Sequence, residues 1–359
     1  MYLADSNQSG DEEELQVSDG PYVFEQAESL TFKWLCDNEL FEQSVAMPDF
    51  VPPYVFQQCE LDAQINRIKF AEDFVEYQGD FDLAALSDLH GQYGLMLELL
   101  TNNKIIDEQG NWAFGTGHFV ITGDIFDRGD KVTEILWFIY KLEQQAEQAG
   151  GKVHLLLGNH EVMVLNGDLR YLHPKYVLAE KLLKQPFESL FGEDAVLGRW
   201  LRSKSVLVKI NNMLFAHGGF HPELAKDNRT LAEINSVFKQ NLVKAELREP
   251  REGFAHYLHK SNGPIWYRGY FKDNGASGEE IELLLQHFDV EHLIVGHTSQ
   301  PQIETRFNGK VIAIDSSIKR GNYGEILLLK DGEFTRGTLS GKSVPLIYWR
   351  NDNNACFIC

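Results

Sequence analysis

Short polar clusters of one kind follow five apolar runs of this chain, and they constrain its fold and chemistry more than any other feature. Each cluster combines glycine with aspartate, asparagine or histidine. A single Gly-Asp or His-Gly pair is common in turns and carries little information by itself. Turns alone do not explain five such clusters in order, each directly behind an apolar run. The clusters are SDLHGQ (87–92), GDIFDRG (123–129), GNHE (158–161), HGG (217–219) and GHT (296–298).

The apolar runs before the first three clusters alternate with helical segments. The runs 80–86, 118–122 and 152–157 are short and apolar, which is typical of buried strands. The segments 95–103 and 131–148 have helical character. This β-α-β-α-β order predicts a parallel sheet with helical crossovers.

The second half of the chain predicts further strands and hairpins. Asn211–Asn212 and Asp331–Gly332 each separate two strand-like runs, as hairpin turns do. The segments that contain the predicted strands are 205–219, 290–297, 310–317 and 323–339. We therefore predict an α/β fold with two mixed β-sheets in a central sandwich, flanked by helices.

The spread of the clusters from 87 to 298 predicts one folded unit that contains nearly everything between them. Between the strands lie two stretches rich in helix-forming residues, long enough to form lobes over a site. Polar, acidic composition predicts a flexible N-terminal segment, and residues 21–78 predict loops and short elements around the main domain. The predicted divisions are a flexible segment at 1–20, a catalytic domain at 21–345 with helical insertions at about 162–204 and 222–285, and a C-terminal tail at 346–359.

The formal net charge of the chain is −20, with 53 acidic and 33 basic residues. This charge argues against nucleic acid and anionic membrane surfaces as partners. The first residues lack the basic and apolar regions of a signal peptide, and no apolar run reaches the ~18 residues of a membrane helix. We expect a soluble protein of the cytoplasm, or of the periplasm if a leader has been removed.

Four cysteines in a chain this long do not suggest a disulfide framework. Cys356 and Cys359 have CxxC spacing on a polar tail, which we interpret as a frayed terminus. Neither they nor Cys36 and Cys59 are followed six positions later by arginine. This spacing excludes a phosphatase that uses a cysteine nucleophile in a C-x5-R loop.

The polar clusters predict a metal site, because ligands of open α/β sheets bind beyond the carboxyl ends of the strands. Asp88 and His90 are two positions apart, so they project to the same side if strand geometry persists. Oxygen and nitrogen ligands without sulfur suit Mn, Fe or Zn at a catalytic site. The candidate ligands are Asp88, His90, Asp124, Asn159, His217 and His297. With the neighbouring acid and arginine, they predict hydrolysis of a phosphate ester.

The ordered motifs D-x-H-G, G-D-x-x-D-R-G and G-N-H-E with two later histidines resemble the PPP-type metallophosphatases, which have the calcineurin-like metallophosphoesterase fold. The resemblance covers about 80–340. GPIWYRGY (263–270) is similar to the Shewanella-like branch of that family. IDSSIKRGNYG (314–324) stands where eukaryotic Ser/Thr phosphatases have an SAPNY loop, which argues against phosphoserine specificity.

This resemblance implies two divalent or trivalent ions per chain, of Mn, Fe or Zn. Asp88, His90 and Asp124 would hold one ion, and Asp124 would share the other with three later ligands. Those three are Asn159, His217 and His297. A hydroxide between the ions would attack phosphorus in line, without a phosphoenzyme.

The resemblance also implies roles for four further residues. Arg128 and Arg268 would neutralise the phosphoryl oxygens, while His160, oriented by Asp127, would protonate the leaving oxygen. Two alternatives remain open: Arg268 could pack on neighbouring aromatic rings, and His160 could cap a helix. Glu161 is assigned only the favourable charge at a helix N-terminus.

The implied partners are phosphorylated proteins or peptides and aryl phosphates, with phosphotyrosine favoured by the resemblance alone. The alternatives are a Ser/Thr phosphatase, a dinucleoside-polyphosphate hydrolase and, more distantly, a non-catalytic phosphoprotein-binding scaffold. The remaining histidines are predicted to be structural or solvent-facing, although His221 and His256 lie in the lobes where substrate could reach them. These histidines are His118, His154, His173, His221, His256, His259, His287 and His292.

Overall fold

The structure, a computed structural model, describes residues 16–348. Its strands are β1 (Asp19–Glu25), β2 (Ser29–Cys36), β3 (Glu39–Ala46), β4 (Tyr54–Gln58), β5 (Leu61–Ile65), β6 (Glu76–Tyr77), β7 (Leu83–Leu86), β8 (His118–Ile121), β9 (Lys152–Leu155), β10 (Leu207–Ile210), β11 (Met213–Ala216), β12 (His292–Val295), β13 (Glu304–Arg306), β14 (Val311–Ala313), β15 (Glu325–Lys330), β16 (Glu333–Thr338), β17 (Ser343–Pro345) and β18 (Ile347–Tyr348). Its α-helices are α1 (Tyr93–Asn102), α2 (Val132–Gln148), α3 (Asn159–Leu165), α4 (Pro174–Leu183), α5 (Val196–Ser203), α6 (Glu223–Lys226), α7 (Leu231–Gln240), α8 (Gly253–Leu258) and α9 (Gly278–Phe288).

Two mixed sheets form the centre of the molecule, as the sequence predicts. One has the strand order β18-β13-β14-β12-β11-β10-β6, and the other has the order β17-β16-β15-β7-β8-β9. β7, β8 and β9 run parallel, and both predicted hairpins, β10-β11 and β15-β16, pair antiparallel. The sandwich is therefore confirmed, and the parallel strands bring their carboxyl ends to one edge.

The central strands β7, β8, β10 and β11 are buried on both faces, which explains their mostly apolar sequences. In β7, Leu83 and Ala85 belong to the core between the sheets, while Ala84 and Leu86 face the helices. This alternation follows from the two-residue period of a strand. All four residues have no exposed surface, so β7 holds the loop that follows it firmly in place.

Helices pack outside the sheets and form the lobes that the sequence predicts. The long amphipathic segment near 131–148 forms α2, and Gly150, two residues after its end, has a φ of +81°. That left-handed conformation is favourable for glycine and stops the helix. The segments around α4–α5 and α6–α9 form the two lobes. Among the described helices, none combines the length and the apolar character that crossing a bilayer requires.

The ends of the described chain correct two predicted boundaries. Val17 and Asp19 are buried, and Asp19 forms an ion pair of 2.9 Å with Lys175. The predicted flexible segment 1–20 therefore extends too far, and residues 1–15 lie outside the described part. At the other end, β18 pairs with β13 of the large sheet, so the chain remains in the sheet beyond residue 346.

Residues 21–78 form more regular structure than the predicted loops. β1, β2 and β3 make an antiparallel sheet, and β4 and β5 make a hairpin. Aromatic rings join the two, because Phe32 of β2 stacks on Phe56 of β4 with ring centroids 3.5 Å apart. The Pro-rich stretch obscured this pattern in the sequence, since proline is unusual in strands.

Cys36 and Cys59 form a disulfide with a Cα–Cα distance of 5.7 Å, contrary to the prediction from the sequence. The bond joins the end of β2 to the turn between β4 and β5. Cysteine count alone did not reveal it, because the pairing depends on how the two hairpins pack. Cys356 and Cys359 lie outside the described residues.

Removing this disulfide should lower the free energy of unfolding. The bond closes a loop with a sequence separation of 23 residues, for which chain entropy gives about 3 kcal/mol. Urea denaturation of Cys36→Ser/Cys59→Ser should show this loss, whereas the control Cys356→Ser/Cys359→Ser should unfold like the parent. Equal stability of both double variants would contradict the pairing.

Candidate metal centre and active site

Six predicted ligands come together at the carboxyl ends of β7, β8, β9, β11 and β12. None of them exposes more than 4% of its surface. These residues are Asp88, His90, Asp124, Asn159, His217 and His297. Because a buried carboxylate needs a compensating partner, the arrangement of these side chains is informative.

The loops that carry these side chains have an unusual backbone conformation. Asp88, His90, Asp124 and His297 have φ values of 58°, 44°, 60° and 63°. Asp88 and His90 therefore do not continue the strand, so the condition under which they would project to the same side is not met. Backbone hydrogen bonds hold the conformation, with Asp88 N donating to Gly123 O at 3.1 Å and His90 N donating to Asp124 O at 2.9 Å. Such rarely populated conformations cluster at functional sites.

Glycine precedes a candidate ligand in the GNHE and GHT segments because the loops pack too closely for a side chain. A Cβ on Gly158 would lie 2.3 Å from Oδ1 of Asp124. A Cβ on Gly296 would lie 1.9 Å from Oγ of Ser87. Both distances are far below van der Waals contact, so these glycines allow the ligand loops to meet.

Asp124 lies at the junction of two groups of candidate ligands. In the first group, its Oδ2 is 3.6 Å from Nε2 of His90 and 3.8 Å from Nε2 of His160. Oδ1 of Asp88 is 3.9 Å from the same His90 nitrogen. One ion could thus be shared by Asp88, His90 and Asp124, with His160 beside it.

The second group lies on the other side of the same carboxylate. Nε2 of His217 is 3.1 Å from Oδ2 of Asp124, 3.0 Å from Oδ1 of Asn159 and 3.1 Å from Nδ1 of His297. Ligand atoms about 2.1 Å from a common ion and at right angles are themselves about 3 Å apart. The second group therefore already has the spacing of a coordination shell.

Carbonyl oxygens set the ring orientation of two histidines. Nδ1 of His90 is 2.7 Å from the carbonyl of Phe126, and Nδ1 of His217 is 3.0 Å from the carbonyl of Thr122. A carbonyl can only accept, so Nδ1 donates in both rings. The Nε2 lone pairs then point towards Asp124, as metal-binding histidines require.

Imidazoles are the nearest positively charged groups to the carboxylates of the site among the described residues. Burial, together with the charge of Asp315, raises the pKa of Asp88 to about 7. Burial would lower the pKa of His217, but the charge of Asp124 outweighs it and raises that pKa to about 9. In the described structure, no lysine or arginine lies within 4.0 Å of either Asp88 or Asp124. Cations in the site would supply the missing compensation.

The protonation state of His297 also fits a metal site. Its Nδ1 faces His217, whereas its buried Nε2, on the other side of the ring, has no hydrogen-bond partner in the described structure. Burial and the neighbouring charge of His217 lower the pKa of His297 well below its ordinary value, so the ring is neutral. A neutral imidazole is the form that binds metal ions.

His160 and Asp127 form the pair that the resemblance implies. Nδ1 of His160 is 2.5 Å from Oδ2 of Asp127, which leaves Nε2 facing Asp124. Burial would lower the pKa of His160, but the charges of Asp124 and Asp127 and the hydrogen bond that His160 donates to Asp127 raise it above its ordinary value. His160 is therefore more than a helix cap, since its ring is oriented into the site.

Arg128 lies at the exposed rim of the site. Its guanidinium is 5.2 Å from the ring centre of Tyr171, and the same ring is 5.4 Å from the ring centre of His160. No carboxylate in the described part of the chain lies within 4.0 Å of Arg128. The guanidinium is thus available to an anion, with an aromatic wall beside it.

Arg268 contacts the metal-site loop. It donates from Nη1 to the carbonyl of His297 at 2.9 Å and to Oγ1 of Thr298 at 3.2 Å. Burial lowers the pKa of Arg268, and the charges of Asp88 and Asp124 oppose this effect. These contacts place it beside the second group of ligands.

Glu161 has a larger role than the sequence suggested. It has no exposed surface, and its carboxylate accepts the N–H groups of Asp124, Ile125 and Gly158 at 2.7–2.8 Å. The carboxylate thereby locks the Asp124 loop onto the start of α3. The GNHE segment could have indicated this role, because glutamate at the third helical position commonly accepts backbone N–H groups at a helix start.

Replacing Glu161 by glutamine should weaken metal binding by about 10–100-fold, the range seen when groups that orient metal ligands are removed. The new amide would direct its NH2 group at backbone donors and displace the Asp124 loop. Metal titration of Glu161→Gln should show this change, and Glu98→Gln, at an exposed position of α1, should titrate like the parent. Unchanged affinity in Glu161→Gln would contradict the role of this carboxylate.

Comparisons with known proteins place the chain among phosphoesterases. Residues 81–301 match the family model described as calcineurin-like phosphoesterase. The crystal structure of the cold-active protein-tyrosine phosphatase of a psychrophilic Shewanella species is similar, with 44% sequence identity and a TM-score of 0.85. The match covers 92% of this chain and 99% of that one.

Two curated relatives extend the comparison to eukaryotes. Shewanella-like protein phosphatase 1 of Plasmodium berghei is 25% identical over 297 residues, covering 80% of this chain and 81% of the relative. An uncharacterised protein of Schizosaccharomyces pombe is 30% identical over 257 residues, covering 68% and 76%. All the predicted site residues fall inside the range that the family model matches.

Proposed function

The chain belongs to the calcineurin-like phosphoesterase family and is a metal-dependent phosphoesterase, and we propose that it is a dimetal protein-tyrosine phosphatase. One observation carries the proposal: the buried Asp124 carboxylate lies between two groups of nitrogen and oxygen ligands. A carboxylate in that position can bridge two cations. The proposal includes direct transfer of the phosphoryl group to water, without a phosphoenzyme.

The residues of the site divide into two ligand sets in this proposal. Asp88, His90 and Asp124 would hold one ion, and Asp124 with Asn159, His217 and His297 would hold the other. Two ions there would supply Lewis acidity, neutralise phosphoryl charge and lower the pKa of a bound water from about 16 to about 7. The ions would be Mn, Fe or Zn, which suit this mixture of nitrogen and oxygen ligands.

His160 would donate a proton from Nε2 to the leaving oxygen of the ester. Its hydrogen bond from Nδ1 to Asp127 holds the ring in place, and the charge of Asp127 favours the protonated form. Proton donation lowers the barrier most when the leaving oxygen is strongly basic. The pair therefore acts as the general acid and its orienting group.

Arg128 and Arg268 would bind the phosphoryl oxygens from two sides. Arg128 lies at the rim next to Tyr171, and Arg268 lies beside His297. Guanidinium groups form paired, charge-assisted hydrogen bonds with phosphoryl oxygens. Because the chain carries a net charge of −20, such local cations are needed to attract an anionic substrate.

Phosphotyrosine as the preferred substrate is supported by the walls of the site. Tyr171 is 44% exposed and its ring lies between Arg128 and His160. The ring of Trp266 packs against the ring of His297, with centroids 5.7 Å apart. Aromatic rings favour contact with another aromatic ring, and the similar Shewanella enzyme is a protein-tyrosine phosphatase.

The disulfide between Cys36 and Cys59 supports the periplasmic alternative for the location of the protein. Disulfides persist in oxidising compartments such as the periplasm and are rare in the cytosol. We therefore propose that the enzyme is located in the periplasm, where proteins with disulfides are stable.

The proposal can be tested with a panel of substrates and metal ions. After chelation, activity should be lost and should return with Mn, Fe or Zn. The reconstituted protein should hydrolyse phosphotyrosyl peptide faster than phosphoseryl peptide or diadenosine tetraphosphate. Activity that survives thorough chelation would falsify the metal mechanism, and preference for the dinucleotide would overturn the proposed substrate.

His160→Ala should slow hydrolysis of alkyl phosphates far more than that of aryl phosphates. A tyrosine-like phenol has a pKa of about 10 and leaves without much proton donation, whereas an alcohol is much more basic. General acid catalysis contributes about 10²–10⁴-fold, so a loss of this size is expected for alkyl substrates. Comparing kcat for the two substrate classes measures it, and equal losses would exclude the proton-donor role.

Asp127→Asn should move the alkaline limb of the pH profile to lower pH. His160 acts when protonated, so kcat falls as the pH rises through its raised pKa. Removing the Asp127 charge lowers this pKa, by about 1–2 units if the lost charge-assisted bond is of ordinary strength. The profile of kcat on an alkyl phosphate shows the shift, and an unmoved limb would contradict the pairing.

A further inference from the structure

A basic pocket lies in the second helical lobe, outside the candidate active site. It has a volume of about 550 Å³ and is formed by the segment before α8, by α8 itself and by the residues that follow it. Six of its lining residues carry basic side chains. They are Lys244, Arg248, Arg251, His256, His259 and Lys260.

The cations of this pocket are not paired, although acidic residues dominate the chain. Among the described residues, no carboxylate lies within 4.0 Å of any of the four lysine and arginine side chains of the pocket. Nearby cations behave differently, since Arg202 pairs with Glu246 at 2.5 Å and Arg229 pairs with Glu233 at 2.6 Å. Clustered like charges repel one another, and a bound anion would relieve that repulsion.

Arg251 is held in position by backbone carbonyls. Its Nε donates to the carbonyl of Asn241 at 2.6 Å, and its Nη2 donates to the carbonyl of Leu242 at 2.6 Å. Burial lowers the pKa of this guanidinium. A half-buried cation without an acidic partner, but with its orientation already set, is suited to bind an anion.

His259 provides an independent indication of a ligand. The ring is 92% buried, donates from Nδ1 to the carbonyl of Ala255 at 2.9 Å and stacks on Phe238 with centroids 4.2 Å apart. Its Nε2 is buried and has no hydrogen-bond partner in the described structure. Burial, followed by the charge of Arg251, lowers its pKa to about 4. Because buried polar atoms are almost always hydrogen-bonded, a ligand in the pocket is the expected partner of this nitrogen.

We propose that this pocket binds a tetrahedral oxyanion, a phosphoryl group other than the one that is hydrolysed. Four positive charges and one negative charge, that of Glu249, line it. Phosphate oxygens could accept hydrogen bonds from the lysines and arginines. A protonated phosphate oxygen could donate a hydrogen bond to Nε2 of His259. In this proposal His259 contacts the bound ligand, whereas the sequence predicted a structural or solvent-facing histidine.

Two connections join the pocket to the active site. Asn166, directly after α3, accepts from Lys244 N at 2.9 Å and donates to the carbonyl of Leu242 at 3.0 Å. α3 begins at the candidate ligand Asn159, about 10 Å along the helix axis from its other end. The second connection is the backbone from Lys260 to Arg268. It begins with a turn in which Gly263 N donates to the carbonyl of Lys260 at 2.7 Å.

This arrangement suits a protein substrate with more than one phosphoryl group, an extension that depends on the proposed phosphatase function. An extended chain rises about 3.3–3.6 Å per residue, so a few residues span the length of α3. A second phosphoryl group on the same peptide could thus occupy the pocket while the first is hydrolysed. Free phosphate is the other source of the same chemistry.

Titration of inorganic phosphate into the metal-loaded protein tests the pocket directly. Calorimetry should resolve two phosphate sites in the parent. In Arg248→Ala/Lys260→Ala, binding to one site should weaken by at least about tenfold, the value of one charge-assisted hydrogen bond. His259→Phe, which keeps the ring stack, should weaken the same site. Lys69→Ala/Lys181→Ala, at exposed positions elsewhere, should behave like the parent.

Peptide kinetics then distinguish the two sources of phosphate. If the second phosphoryl group of a substrate occupies the pocket, a doubly phosphorylated peptide should have a KM about tenfold below that of the singly phosphorylated one. This preference should be absent in Arg248→Ala/Lys260→Ala. Equal KM values with two phosphate sites in the parent would identify free phosphate as the ligand.

A phosphate isotherm unchanged in both pocket variants would overturn the proposal. That result does not depend on turnover, because the titration needs no hydrolysis. Failure of the proposed phosphatase function would instead appear as absent hydrolysis of every phosphopeptide. The two failures are therefore distinguishable.

Discussion

The buried carboxylate of Asp124 is the group on which the arrangement of the site depends. It lies within 4 Å of three imidazoles: those of His90 and His217 come from two different loops, and that of His160 comes from the start of α3. Its own loop is held by Glu161, which accepts the N–H groups that the turn leaves unpaired. Burying both carboxylates is unfavourable unless each is fully compensated. Backbone donors compensate Glu161, and cations at Asp124 would complete the balance.

The sequence predicted which side chains would lie together because the candidate ligands follow strands whose apolar pattern is plain. The parallel order of β7, β8 and β9 guaranteed that their loops would meet, whichever φ angles they adopted. The conformation of Asp88 and His90 could not be predicted, since it depends on hydrogen bonds to the neighbouring loop. The disulfide could not be predicted for a similar reason, because Cys36 and Cys59 come together only when the two hairpins pack.

We propose that substrate selection depends on parts of the molecule about which the motifs carry no information. Tyr171 belongs to the first helical lobe, and the basic pocket belongs to the second. Both features arise from tertiary packing: Arg251 is oriented by carbonyls of the loop after α7, and His259 by a ring of α7. In a chain with a net charge of −20, we propose that these local cations and rings attract a phosphorylated protein, which the overall field would repel.

The number of metal ions per chain tests the central claim most directly. Elemental analysis of the reconstituted and desalted protein should find two ions per chain, and Asp124→Asn should retain fewer because the shared ligand is weakened in both sets. The exposed change Glu98→Gln should retain two. A single ion per chain in the parent, or two ions in Asp124→Asn at unchanged affinity, would contradict a centre bridged by this carboxylate.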